Sequence, residues 1–300
     1  MVKKILLIGG NGYIGSRVYE HLLNFGYDVT NIDLCWFGQI YSETIVKDYK
    51  DLTKEELSEY SHIVLLAAHS SVSMCTDNLS SCFKNNVTNF IDLLDKLDDQ
   101  TLIYASTCAI YGKSKELVTE DEPIKNALNF YDYSMIARES IANLHPNKKL
   151  IGLRFGSVGG FSKSFRNENL INSLTLASKD KSLTIANGNA MRSVLGISDV
   201  CKAIEKIISE DTIKNRVYNI TSINDKIIDF GIKVKELTNS ELAINESAFK
   251  TDYSFSCSFK LFEKDYNFKF KDSVESIYND IITNYDNILF NDKRGKIIYE

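Results

Sequence analysis

The chain is 300 residues long, 44% apolar and 25% charged, with a formal net charge of −5. Such values belong to a globular protein with room for one large domain or two small ones, and they exclude a disordered polypeptide. The acidic balance, with no dense basic run, excludes a nucleic-acid surface, and no apolar stretch approaches the ~18 residues that span a bilayer.

The opening MVKKILLIGGNGYIG runs from a short apolar segment into a glycine loop rather than a cleavage site. It therefore reads as a strand and not a signal peptide, and a cytoplasmic protein is expected. KKILLIG (3–9) is continuously apolar, as in a strand buried on both faces of a parallel sheet. An amphipathic segment follows at 16–25, then a strand at 28–33 (DVTNID) and another at 62–68 (HIVLLAA). NVTNFIDLLDKL (86–97) places Val87, Phe90, Ile91, Leu94 and Leu97 on one helical face. TLIYAST (101–107) is a strand, 131–144 a helix, and KLIGLRFG (149–156) a strand. Strands separated by helices of this length predict βαβ units and a doubly wound parallel sheet of the Rossmann type.

Beyond residue 156 the rhythm loosens. Helices are expected at 168–179 and 199–209, a strand at 216–221, and a final apolar periodicity runs from Val274 to Leu289. No linker separates the halves. The expected division is a dinucleotide-binding domain over 1–156 and a smaller, tightly packed α/β lobe over 157–300, with some later segments interleaved into the first.

Cys35, Cys75, Cys82, Cys108, Cys201 and Cys257 are scattered and lack a C-x-x-C pair, so they read as reduced, mostly buried thiols. His21, His62, His69 and His145 are equally dispersed, and no metal site is expected.

GGNGYIG supplies Gly9, Gly12 and Gly15 between the first strand and the first helix. Glycine is needed where backbone amides approach a pyrophosphate, and the helix start offers free N–H groups to the phosphates. Asp33 ends the second strand, placed to accept the adenosine ribose hydroxyls. Its carboxylate would repel a 2′-phosphate, which favours NAD(H) over NADP. Tyr13 and Ile14 lie within the same turn.

The glycine spacing G-x-x-G-x-x-G resembles that of the extended short-chain dehydrogenases/reductases, in the NAD-dependent epimerase/dehydratase family acting on nucleotide sugars. VKDYKD (46–51) resembles an element that places Asp48 and Tyr49 at the adenine. LLAAHSSV (65–72) is similar to a cofactor-lining segment, which implies Leu66, Ala67 and Ala68 there. NNVTNFIDLL (85–94) resembles a helix start whose asparagine, here Asn86, braces the fourth strand beside the cofactor. ASTCAIYG (105–112) is close to the segment that carries Ser106 along the cofactor and gives Thr107 as the hydroxyl on the reacting sugar oxygen. By the same resemblance Asn169, Leu170 and Arg192 contact the nucleotide base and pyrophosphate of the substrate. Ser157 stands where an asparagine often touches the diphosphate, and the sequence shows no counterpart of the family's later arginine contact. The stretches 86–97 and 131–144 are similar to those that build a dimer interface, which implies a homodimer.

The tyrosine of the family's Tyr-x-x-x-Lys is Tyr131, and Met135 stands in place of the lysine. In the family the tyrosine exchanges a proton with the sugar oxygen, while the lysine lowers its pKa and holds the nicotinamide ribose. A thioether does neither. Arg138 lies seven residues from Tyr131, about 10 Å along a helix, too far to take the lysine's place directly. Oxidation needs tyrosinate, whereas reduction needs the phenol that an unshifted tyrosine presents at neutral pH. Cys108 and Ala109 follow Thr107 where dehydratases of this resemblance carry an acid, which argues against elimination. The expected activity is NAD-dependent hydride transfer at a ring carbon, C4 by preference, of a nucleotide sugar, first as a 4-ketoreductase. A 4-epimerase or sugar dehydrogenase, and a non-catalytic NAD-binding sensor or scaffold, remain alternatives.

Overall fold

The apolar run at the N-terminus forms a strand, β1 (Lys4–Ile8), whose Ile5 and Leu7 enter one core cluster while Leu6 and Ile8 enter another. Both faces of the strand are thus buried, which is why its sequence is continuous rather than alternating. A computed structural model of the protein describes residues 3–124, 127–210, 212–245, 253–290 and 299. Its further strands are β2 (Asp28–Asp33), β3 (Ile45–Val46), β4 (His62–Leu65), β5 (Thr101–Thr107), β6 (Lys113–Val118) and β7 (Leu150–Phe155). They continue as β8 (Ser157–Gly159), β9 (Ser182–Ala186), β10 (Met191–Gly196), β11 (Val217–Ile220), β12 (Ile223–Lys226), β13 (Glu241–Asn245) and β14 (Ser254–Cys257). The helices are α1 (Tyr13–Asn24), α2 (Lys54–Ser58), α3 (Val72–Thr76), α4 (Leu79–Phe83), α5 (Asn89–Lys96) and α6 (Phe130–Asn143). After them come α7 (Leu170–Ala177), α8 (Ile197–Ser209), α9 (Ile227–Thr238), α10 (Lys260–Tyr266) and α11 (Val274–Thr283).

The central sheet has seven parallel strands in the order β3-β2-β1-β4-β5-β7-β11, with α1 and α8 on one face and α5 and α6 on the other. This is the expected Rossmann-type doubly wound architecture. The order reverses between β1 and β4, so the loops leaving their carboxyl ends part and open a crevice, the place where such sheets take ligands. Smaller sheets, β12-β10-β8, β13-β9 and β14-β6, gather with α7, α9 and α11 beyond the main sheet. The chain after residue 156 returns to the main sheet through α8 and β11, which joins β7 in parallel. Among the described residues no helix is long and apolar enough to cross a membrane.

Three expectations need correction. The helix expected over 86–97 begins as a widened π-type turn at Lys84–Thr88 and becomes α-helical only at Asn89. The buried side chains of Asn85 and Asn86 are committed to His69 across this turn, which draws the backbone out of α register. The final apolar stretch is helical only to Thr283 and closes in a 3₁₀ turn at Tyr285–Asn287. Cys75 and Cys82 are joined in a disulfide, at a Cα–Cα distance of 5.0 Å, rather than reduced. The caps of α3 and α4 by Ser71 and Asn78 turn the two short helices so that their cysteines meet.

Candidate active site

The crevice at the carboxyl ends of β1, β4 and β5 is a cavity of about 540 Å³. At one end is the glycine turn. Gly9 adopts φ +98°, and a Cβ there would lie 2.6 Å from Ala67 N; a Cβ on Gly15 would lie 1.9 Å from Gly9 O. These two positions need glycine for close packing of loop, strand and helix. Gly12 N donates to Gly9 O at 3.1 Å, and α1 starts at Tyr13 with no side chain capping it. The first turn of α1, Tyr13, Ile14 and Gly15, therefore lies at the cavity, where helix-start amides can serve as an anion cradle.

Asp33 also lines the cavity, its carboxylate fixed by Asn11 N at 2.8 Å and Cys35 N at 2.7 Å. Burial pushes its pKa up and the two amide hydrogen bonds pull it back. Lone pairs remain on both oxygens for hydroxyl donors. Leu66, Ala67 and Ala68 form the wall after β4, with Leu66 N and Ala67 N bonded to Ile8 O at 2.9 and 3.0 Å. Glycine turn, helix start, acidic residue and apolar wall together fit a dinucleotide such as NAD.

Thr107, at the end of β5, and Tyr131, in the first turn of α6, meet across the cavity, where the Thr107 hydroxyl favours the ionised phenol. The Thr107 hydroxyl also accepts from Ala109 N at 3.1 Å. Asn129 caps α6 by accepting from Asp132 N at 3.1 Å, which sets where the helix begins and so where Tyr131 points. The helix is clamped to the sheet by the buried carboxylate of Glu139. It accepts from Arg154 Nε at 3.0 and 3.1 Å and Nη2 at 2.7 Å, and from Ser106 Oγ. Arg154 in turn donates to Tyr111 Oη at 2.6 Å. Burial raises the Tyr131 phenol pKa, while the Thr107 hydroxyl and the charges of Arg166 and Arg138 lower it. Met135 is 2% exposed and packs with Cys108, Ile110, Tyr111, Val118, Phe255 and Cys257.

Several expected site residues lie elsewhere. Asp48 is off the cavity wall, because its carboxylate accepts from Tyr299 Oη and pairs with Lys50; Tyr49 does line the wall, donating its hydroxyl to Asn85 O at 2.5 Å. Asn86 is also off the wall, its amide accepting from His69 N at 2.8 Å and donating to His69 O at 3.0 Å, a brace on the loop after β4. Leu170 packs against the core rather than the cavity. Ser106 reaches the wall but gives its hydroxyl to Glu139. Ser157, Asn169 and Arg192 line the cavity end nearest the smaller sheets. Asn169 Nδ2 donates to Val158 O at 2.7 Å, and Arg192 Nη1 to Met191 O at 3.0 Å and to Tyr253 O. Arg166, which no sequence motif singles out, also lies on the wall, with Nε on Glu168 at 2.7 Å and Nη1 on Ser70 O at 3.1 Å. It sits in an irregular loop whose path is fixed by Asn172, which donates to Arg166 O at 2.8 Å and to Tyr13 Oη at 3.0 Å. No local pattern marks such a loop, so only three-dimensional structure brings it to the site.

A model of the NAD dependent epimerase/dehydratase family matches residues 5–221. The chain belongs to that family. NAD is accordingly its cofactor, and the cradle described above fits it. Protein CapI of Staphylococcus aureus is 27% identical over 256 residues, covering 72% of each chain. The UDP-glucose 4-epimerase of Lactobacillus helveticus is 32% identical over 178 residues, which span 53% of this chain and 53% of that enzyme. Among solved structures, the UDP-glucose 4-epimerase of Thermotoga maritima superposes with a TM-score of 0.83 at 20% identity, over 94% of this chain and 98% of its own. An NAD-dependent NDP-hexosamine 5,6-dehydratase of tunicamycin biosynthesis gives a TM-score of 0.83 at 20% identity, over 95% and 98%. At such identity these structures bear on the fold.

Proposed function

We propose that the protein is an NAD-dependent reductase of nucleotide-linked keto sugars, acting at a ring carbon and by preference at C4. In this reading Thr107 polarises the carbonyl oxygen and Tyr131 delivers the proton. The observation that carries it is the state of Tyr131, which burial keeps in the phenol form and which has Met135, not an ammonium, one turn away. A proton donor is thus ready at neutral pH, whereas alcohol oxidation needs the tyrosinate that this surrounding disfavours.

NAD(H), bound along the glycine turn, supplies the hydride. The remaining work falls to the chain. The first-turn amides of α1 hold the pyrophosphate, and Asp33 accepts from the adenosine ribose hydroxyls. Leu66, Ala67, Ala68 and Met135 keep water from the ring. Residues 1–156 form the cofactor side, and 157–300 the nucleotide-sugar side through Ser157, Asn169 and Arg192. A homodimer would cover the exposed apolar side chains of Leu79 and Phe83 on α4 and Phe130 and Tyr133 on α6.

A 4-epimerase is the second reading, favoured by the named activity of the curated relatives. It requires oxidation before reduction, with NAD recycled on the protein. The deciding experiment offers UDP-, GDP- and dTDP-linked 4-keto sugars with NADH and analyses the sugar products. One NADH consumed per sugar, abolished by Tyr131→Phe, establishes the reductase. Epimerised 4-hydroxy sugars without net NADH consumption establish the epimerase. Neither activity, with NAD binding indifferent to Tyr131→Phe, leaves a sensor or scaffold.

A further inference from the structure

Position 135 carries a methionine, yet α6 keeps a buried cation on the same face. Arg138 is three residues beyond Met135 and seven beyond Tyr131, spacings that align all three. Helical side chains lean toward the helix N-terminus, so a guanidinium from 138 extends back past Met135 toward the turn that carries the tyrosine. Its contacts fit that course. Nε donates to Asn86 O at 2.9 Å and Nη1 to Ala105 O at 3.4 Å. Ala105 lines the cavity two residues before Thr107, and Asn86 also donates to Ser134 Oγ at 3.0 Å, in the Tyr131 turn. The axial separation that rules out a direct contact with Tyr131 does not rule out its field.

Arg138 is fully buried, and among the described residues it forms no ion pair. Its Nη2 has no hydrogen-bond partner there either. The neighbouring Arg154, by contrast, is neutralised by Glu139 at 2.7 Å. A buried cation without a counter-ion is costly to keep, and its charge is screened far less by solvent and salt than an exposed one. The groups that face it are the Phe90 ring, 5.3 Å from the guanidinium carbon, and the phenols of Tyr49, Tyr104 and Tyr131. Three other ionisable groups bear on Tyr131. Asp132 on the same helix opposes its ionisation, and its carboxylate accepts from Tyr253 Oη at 2.6 Å. Tyr253 is itself a phenol that burial keeps protonated. Arg166 favours ionisation more strongly than Arg138 as the two are placed, but its side chain is 15% exposed and paired with Glu168 at 2.7 Å, so solvent and the carboxylate offset its charge while that of Arg138 stays uncompensated.

The geometry points to Arg138 as the positioning cation that replaces the missing lysine, stabilising from beneath the helix face the charge that develops on Tyr131 Oη. The inference rests on Tyr131 being the proton donor. As hydride from NADH reaches the carbonyl carbon, the Tyr131 O–H bond breaks and its proton passes to the substrate oxygen. The products are the alcohol, NAD⁺ and a tyrosinate, and it is the tyrosinate that needs a nearby positive charge. Arg138 is off the cavity wall, so it cannot also hold the nicotinamide ribose. The two duties of a lysine are thereby separated: the charge is kept and the ribose tether is lost, which suits a reductase that exchanges its cofactor at every turnover.

The test places 3,5-difluorotyrosine at position 131, whose more acidic phenol titrates in an accessible range and is followed by fluorine NMR without substrate. Arg138→Met should raise its midpoint by about one pH unit, the effect of a unit charge roughly 10 Å away at an effective dielectric of about 20. Arg138→Lys should stay near wild type, and Met135→Lys combined with Arg138→Met should restore the midpoint. In the natural protein, Arg138→Met should slow keto-sugar reduction at neutral pH roughly tenfold with KM unchanged. A folded Arg138→Met protein with an unmoved midpoint overturns the inference, as does a larger shift from Arg166→Met. If Arg138→Met does not fold, Arg138→Gln, which keeps polar contacts but removes the charge, decides, because an unmoved midpoint there counts against the inference. A shifted midpoint in a protein that reduces no keto sugar separates failure of the activity reading from failure of the charge assignment.

Discussion

Replacing Glu139 with glutamine isolates the clamp that holds the tyrosine helix on the sheet. The change is isosteric and opens no cavity, so its cost is electrostatic. Arg154 and Glu139 have side chains only 6% and 2% exposed. With the carboxylate neutralised, the Arg154 guanidinium is left with Tyr111 Oη at 2.6 Å and Glu120 O at 3.3 Å, neither of them charged. Breaking one partner of a buried ion pair costs about 3–5 kcal/mol. At roughly 2–4 °C per kcal/mol for a chain somewhat shorter than this one, melting should fall by about 10 °C. Urea and thermal denaturation of Glu139→Gln measure this directly. The control is Glu139→Met with Arg154→Met, an apolar pair of similar volume that should recover most of the loss. A penalty below about 1 kcal/mol in the single variant would show that water or another group satisfies the guanidinium, and the clamp would then be no explanation for where Tyr131 sits.

Other outcomes follow from the same geometry. Gly15→Ala should abolish NAD binding or unfold the first βα unit, since the new Cβ would meet Gly9 O at 1.9 Å; cofactor fluorescence titration beside circular dichroism distinguishes the two. Burial lowers the His69 pKa to about 4, while unfolded it titrates near 6.5. The unfolded chain therefore binds the extra proton first, and stability falls as pH drops from about 6.5 to 4, by up to about 3 kcal/mol in all. His69→Gln should flatten that slope in urea melts taken across the same window. Thiol alkylation of denatured protein, read by mass spectrometry, should modify four cysteines before reduction and six after it, because Cys75 and Cys82 are paired.

The main sheet was legible because its strands are buried on both faces and its helices are amphipathic, so each advertises itself locally. β2, β5 and β7 fall where their apolar runs place them, to within a residue. The small sheets were not legible. β6 reads KSKELV, mostly exposed and without alternation, and it is a strand only because Ser254–Cys257 lies alongside it. The disulfide has the same origin. Cys75 and Cys82 are seven residues apart, a spacing that gives no signal until two capped helical turns fold against each other.

At the site, residues whose role depends on the backbone could be read from the sequence, and those whose role depends on a partner side chain could not. Gly9, Gly15 and Asp33 line the cavity because strand ends and helix starts put them there. Asp48 was placed by motif, but a motif gives no account of Tyr299, whose hydroxyl takes its carboxylate. The same distinction governs the charge at the tyrosine. A lysine four residues on is a local rule, and its loss at Met135 reads in the sequence as a defect. Arg138 can answer that loss only because Asn86 O and Ala105 O, 52 and 33 residues away, leave a polar slot for its guanidinium beneath the helix. A linear motif records where a charge is attached to the chain, whereas the phenol responds to where that charge ends up. A substitution that breaks the motif can therefore leave the chemistry intact.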